Sequence, residues 1–132
     1  MPMNKKEMFN FWIESSNEDY QTMLNLHLSE DYSWSLFMGH IVIEKLIKAL
    51  YVKQRSENPP FIHDLLRLYK KTGVEIDNDQ MDALDEITTF NIKSRYDDYK
   101  KTFRKLCTKA FTEKKMSMTK ETRKWLMNIL LR

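Results

Sequence analysis

The chain has 132 residues, 42% hydrophobic and 31% charged. That length buries about two-thirds of its unfolded surface, enough for a single domain over 1–132 with a core of its own. Two Gly, one Cys and no run near the ~20 apolar residues of a spanning helix exclude turn-rich all-β folds, glycine-rich phosphate loops, intrachain disulfides and a membrane span. The opening Met1–Glu7 has Lys5 and Lys6 but no apolar stretch, so no signal peptide is read either.

Hydrophobic spacing then places the elements in turn. Over about 4–26, Phe9, Trp12, Ile13, Ser16, Tyr20, Met23 and Leu24 recur at three and four residues and share one helix face. Asn4 and Glu7 have the spacing of a capping box. Ser29-Glu30-Asp31 then breaks the pattern and supplies a cap for a second helix over about 31–54. That helix is apolar around most of its circumference, from Trp34 to Val52, as a central or interface helix is. Pro59 and Pro60 end the segment.

A third helix fits about 62–72, with Gly73 as its C-cap. Asp77 or Asn78 caps a fourth over about 79–92. Lys93 to Lys101 reads as irregular at its start, with a short turn around Phe103, Leu106 and Cys107. Thr108 caps a long last helix over about 109–131. Short connections imply antiparallel neighbours, so the fold expected is all-α, an up-down bundle of four to five helices.

Charge is unevenly placed. Residues 1–99 hold 11 Lys/Arg against 17 Asp/Glu, a net of −6, and residues 100–132 hold 11 against 2, a net of +9. A basic last quarter points to nucleic acid, or to a helix face that is solvated or docks on an acidic surface.

The three His (His27, His40, His63) fall on different elements without metal-ligand spacing, so neither a metal nor a cofactor is implied. Cys107 has Arg104, Lys105 and Lys109 near it to lower its pKa, although a lone Cys in a semi-apolar turn is ordinary packing. His40, Glu44 and Lys48 recur every four residues, one polar stripe on an oily helix. They form either a surface ion pair or a polar strip lining a cleft or dimer seam. His63 stands at the expected start of the third helix, where it caps that end or faces a cleft. After the fourth helix, Arg95 binds the helix end or forks onto a phosphate, with Tyr96 or Tyr99 stacking on a base.

Trp12-Ile13, Ser16 and Asp19-Tyr20, then Glu44-Lys45-Leu46-Ile47-Lys48-Ala49-Leu50, His63-Asp64-Leu65, Ser94-Arg95-Tyr96 and Trp125-Leu126 together resemble the HEPN family (higher eukaryotes and prokaryotes nucleotide-binding domain). The resemblance implies a helical bundle, commonly a homodimer. Some small members act as the substrate-binding subunit of a minimal nucleotidyltransferase, and others are ribonucleases that serve as toxins. The ribonuclease members carry an Arg followed after four to six residues by His. Here Arg55 precedes His63 by more than that, and no His follows Arg95 or Arg104.

The function expected is therefore a cytoplasmic, homodimeric, non-catalytic module for a nucleotide or phosphate ligand. Glu44, Lys48, His63, Arg95 and Tyr96 are its binding residues, and a nucleotidyltransferase is its partner. Lys48 and Arg95 would meet phosphate, Tyr96 would stack, and Glu44 would orient Lys48 or accept from a ribose or base. The alternatives are a divergent ribonuclease using His63 with Arg95, and nucleic-acid binding by the basic last helix. No membrane partner is expected.

Overall fold

The computed structural model describes residues 2–132 as six helices in chain order: α1 (Lys5–Leu28), α2 (Tyr32–Arg55), α3 (Leu65–Lys70), α4 (Asn78–Arg95), α5 (Asp97–Leu106) and α6 (Lys109–Leu130). The described residues form no strand, and no helix is long and apolar enough to cross a membrane.

Local chemistry sets most helix starts. Asn4 accepts from Glu7 N at 2.8 Å, and the Glu7 carboxylate returns to Asn4 N. Asp77 and Gln80 make the same reciprocal box on α4, so the cap is Asp77 rather than Asn78. Thr108 caps α6 through Phe111 N. Asp31 departs from expectation. It makes no side-chain cap bond to α2, because its carboxylate accepts the Ser29 hydroxyl at 2.7 Å instead.

α2 is the axis of the bundle. Leu36, Val42, Ile43, Leu46, Ile47, Ala49 and Leu50 are buried on it, with α1 along one side and α6, α4 and α3 on others. The Ser16 hydroxyl donates to Val42 O at 2.9 Å, tying α1 to α2 in a place where neither group reaches water. α6 closes on α2 over Gly39, where an added Cβ would meet Thr119 Cγ2 at 3.0 Å.

Three expectations change. The third helix is only Leu65–Lys70, because the chain stays extended through His63 and Asp64 supplies the cap, accepting from Arg67 N at 3.1 Å. Gly73 follows two residues after the C-cap at Lys71, with φ 76°, which only glycine adopts cheaply. Residues 93–106 are helical rather than irregular. α4 runs on to Arg95 because Ser94 is buried and bonds Ser33 O at 3.1 Å. Only Tyr96 is extended, with φ −87° and ψ 131°. α5 then restarts, with Asp97 and Asp98 in its first turn facing the positive helix end and Phe103 stacked on Phe90 at 6.1 Å. This extra helix raises the count from the expected four to five to six.

The basic α6 is partly tied into its own domain. Lys115 pairs with Glu86 of α4, and Arg123 lies 3.9 Å over the Tyr20 ring and bonds Asn17.

Candidate functional site

The polar stripe on α2 meets the extended segment before α3. Pro59 and Pro60 keep that segment out of helical geometry, so it crosses α2 with its backbone groups available for bonding. His40 comes from α2 and is 0% exposed. Its Nε2 lies 2.8 Å from the His63 carbonyl, which can only accept, so Nε2 carries the proton. Burial lowers the His40 pKa. The hydrogen bond to His63 and the Glu44 charge oppose that shift, and the charges of His63 and Arg95 add to it. His40 is therefore held neutral, with Nδ1 buried and without a partner.

One turn along α2, Glu44 is 5% exposed and bonds through both oxygens. Oε2 lies 3.1 Å from Lys48 Nζ, and Oε1 accepts from His63 Nδ1 at 2.8 Å. Lys48 is 8% exposed, and its ammonium sits 4.9 Å over the Trp12 ring and 6.0 Å from the Phe61 ring. A buried carboxylate with an ammonium on one oxygen and a hydrogen-bond donor on the other is satisfied where a lone one is costly. The His63 side chain stays 63% exposed. With Nδ1 on Glu44, its Nε2 is left as the free group of the cluster. Phe61, two residues before it in the chain, is 96% exposed.

Three of the five residues singled out from sequence thus converge: Glu44, Lys48 and His63. The Lys48 ammonium is enclosed between Glu44 and the faces of Trp12 and Phe61. Arg95 borders the cluster, close enough to act on His40, while its Nη1 donates to Asn91 Oδ1 at 3.1 Å and its guanidinium lies 5.9 Å from the Phe37 ring. Tyr96 is exposed beside Arg95, with ring and guanidinium 6.0 Å apart, and no hydrogen bond joins it to Glu44, Lys48 or His63.

Sequence reasoning left His40, Trp12 and Phe61 out of the binding set. The four-residue spacing signals His40, but nothing local marks Phe61 as exposed. Arg55, the other Arg weighed against His63, donates Nε–H to Lys71 O at 3.0 Å and holds the turn after α3. Of the two readings of Cys107, the structure favours ordinary packing: burial pushes its thiol up to about 11, and its basic neighbours do not bring it down. Among the described residues, no group of three His, Cys, Asp or Glu converges to hold a metal. Two hollows lie away from the cluster, one of about 400 Å³ among Lys5, Phe9, Lys53 and Leu130 and one of about 430 Å³ among Glu75, Ile76, Asp77 and Gln80.

The family model for the HEPN domain matches residues 9–130, which take in α2, the His63 segment and Arg95. The chain belongs to the HEPN family. Among solved structures this HEPN chain is similar to TT1696 from Thermus thermophilus, with a TM-score of 0.79 and 18% identity. The alignment covers 96% of this chain and 98% of that one, and at this identity it speaks to the fold alone. No curated protein matches the sequence.

Proposed function

We propose that this HEPN domain is a non-catalytic binding module for a nucleotide or nucleotide-like phosphate ligand, and that it serves as the substrate-binding subunit of a minimal nucleotidyltransferase. It works as a cytoplasmic homodimer. The observation that carries the reading is the Glu44–His63 hydrogen bond at 2.8 Å. It holds a largely exposed imidazole on the same carboxylate as the Lys48 ammonium, two residues from the exposed Phe61 ring. Such a group bonds a phosphate oxygen or a base edge, while an aromatic face takes the base. Arg95 supplies a planar cation suited to phosphate at the border, and Tyr96 a second ring. Glu44 orients His63 as well as Lys48.

Calorimetric titration with ATP and GTP at millimolar concentration tests the ligand. Heat that disappears in His63→Ala is expected. Absence of heat from every common nucleotide overturns the reading. Co-expression with a nucleotidyltransferase encoded beside it tests the partner, and separate elution on gel filtration counts against that pairing.

A second reading, a divergent HEPN ribonuclease, draws support from the same hydrogen bond. A His held at Nδ1 by a buried carboxylate is arranged as a general base at Nε2. Against it, the chain lacks the Arg-to-His spacing of the ribonuclease members. Cleavage of bulk RNA that is lost in both His63→Ala and Arg95→Ala would establish it.

A further inference from the structure

Between residues 93 and 105 the chain carries Lys93, Arg95, Lys100, Lys101, Arg104 and Lys105 against Asp97 and Asp98. Lys45, Lys48 and Lys115 each have a carboxylate partner. Among the described residues, Lys93, Lys100, Lys101, Arg104 and Lys105 have none. The same stretch exposes Ile92, Tyr96, Tyr99 and Leu106. Exposed aromatic groups and unpaired cations are thus interleaved along one edge of the bundle.

α5 organises that edge into two stops. On one side Trp34, exposed at the start of α2, has the Lys100 ammonium 5.4 Å from its ring and shares a hollow of about 150 Å³ with Arg104. Lys100 and Arg104 are four residues apart on α5, so one face of the helix presents both to the indole. On the other side Tyr99, Ile92 and Lys93 line an apolar hollow of about 150 Å³ with Thr89.

We propose that the α5 edge binds single-stranded nucleic acid. Bases stack on Trp34 and Tyr99, and phosphates pair with Lys93, Lys100 and Arg104. A phosphate draws the Lys100 ammonium from the indole, and a base takes the face it leaves. Glu30 and Asp31 also line the Trp34 hollow and repel a phosphate from its interior, leaving the backbone to Lys100 and Arg104. A protein partner fits less well, because the centres of protein interfaces are depleted in Lys. Duplex fits less well because its bases are already stacked on one another. Arg95 and Tyr96 border both this edge and the Glu44–His63 cluster, while Trp34 and Tyr99 lie outside that cluster.

The test is fluorescence anisotropy with a labelled oligouridylate of about twelve nucleotides and a duplex of equal length, at several salt concentrations between about 50 and 200 mM. Preferential binding of the single strand is expected, with log affinity falling linearly against log salt. Tyr99→Ala weakens it about tenfold or more through lost stacking. Lys100→Ala lowers the salt slope by about 0.7. Both positions are exposed, so both variants keep the fold, as circular dichroism checks. His63→Ala leaves this binding unchanged even if it abolishes nucleotide heat. No binding at low salt, equal affinity for duplex, or neutrality of both variants overturns the proposal. So does self-association that Tyr99→Ala abolishes without any RNA binding, which assigns the edge to a second copy of the chain.

Discussion

His40 Nε2 donates to the His63 carbonyl at 2.8 Å across 23 residues of chain, from a position with no access to solvent. Glu44, one helical turn further on, holds the His63 ring. Backbone and side chain of one exposed histidine are therefore fixed by two buried residues of the same helix.

A consequence follows for pH. The folded pKa of His40 lies below its ordinary 6.5, chiefly through burial. As pH falls below 6.5 the unfolded chain takes up this proton first, so stability drops from there down to the folded pKa and is flat above. Urea unfolding between about pH 5 and 8 should show that fall in the native protein. In His40→Gln the His40 contribution at acid pH should be absent, leaving a shallower slope. An equal slope in both would assign the pH dependence elsewhere.

Glu44 is expected to be the most sensitive residue of the cluster. Glu44→Ala leaves the Lys48 ammonium enclosed without a carboxylate, which costs about 3–5 kcal/mol. Replacing both with Met removes both charges and should recover most of that loss. Chemical denaturation of the single and double variants measures it.

The close approach of α6 to α2 makes a third prediction. Gly39→Ala gains about 1 kcal/mol of helix propensity. Its Cβ is forced to within 3.0 Å of Thr119 Cγ2, and overpacking of that kind costs about 1–3 kcal/mol. A net loss of about 1 kcal/mol is expected in the native background. In Thr119→Ala the obstruction is gone, and Gly39→Ala should then be stabilising. A double-mutant cycle reads the sign change.

Cys107 should be inert in the folded protein. Its thiol is buried and pushed up to about 11 from an ordinary 9.0, which alone lowers the thiolate fraction about 100-fold. Reaction with a disulfide reagent near pH 8 should be slow in buffer and fast in concentrated urea. Equal rates would contradict the burial.

Helices α1, α2, α4 and α6 were legible because their signals are local. Asn4-Glu7, Asp77-Gln80 and Thr108 satisfy the first amide groups from within one turn, and apolar side chains repeat with the helix period. α5 was not legible. It is short and mostly polar, no side chain caps its start, and Phe103 is its one buried residue. Its stability comes from Phe90 on another helix, which no window around residue 100 contains.

The candidate site divides in the same way. The sequence by itself determined that His40, Glu44 and Lys48 share a stripe, because four residues make about one helical turn. It also determined the helical class, through the scarcity of glycine and the spacing of apolar residues. Only the tertiary structure decided that the stripe faces inward, that His63 returns from an extended Pro-containing segment to meet it, and that Lys48 is enclosed while His63 stays open. Those outcomes depend on which groups exclude water from which. Exclusion is a property of packed helices, and no stretch of chain carries it alone.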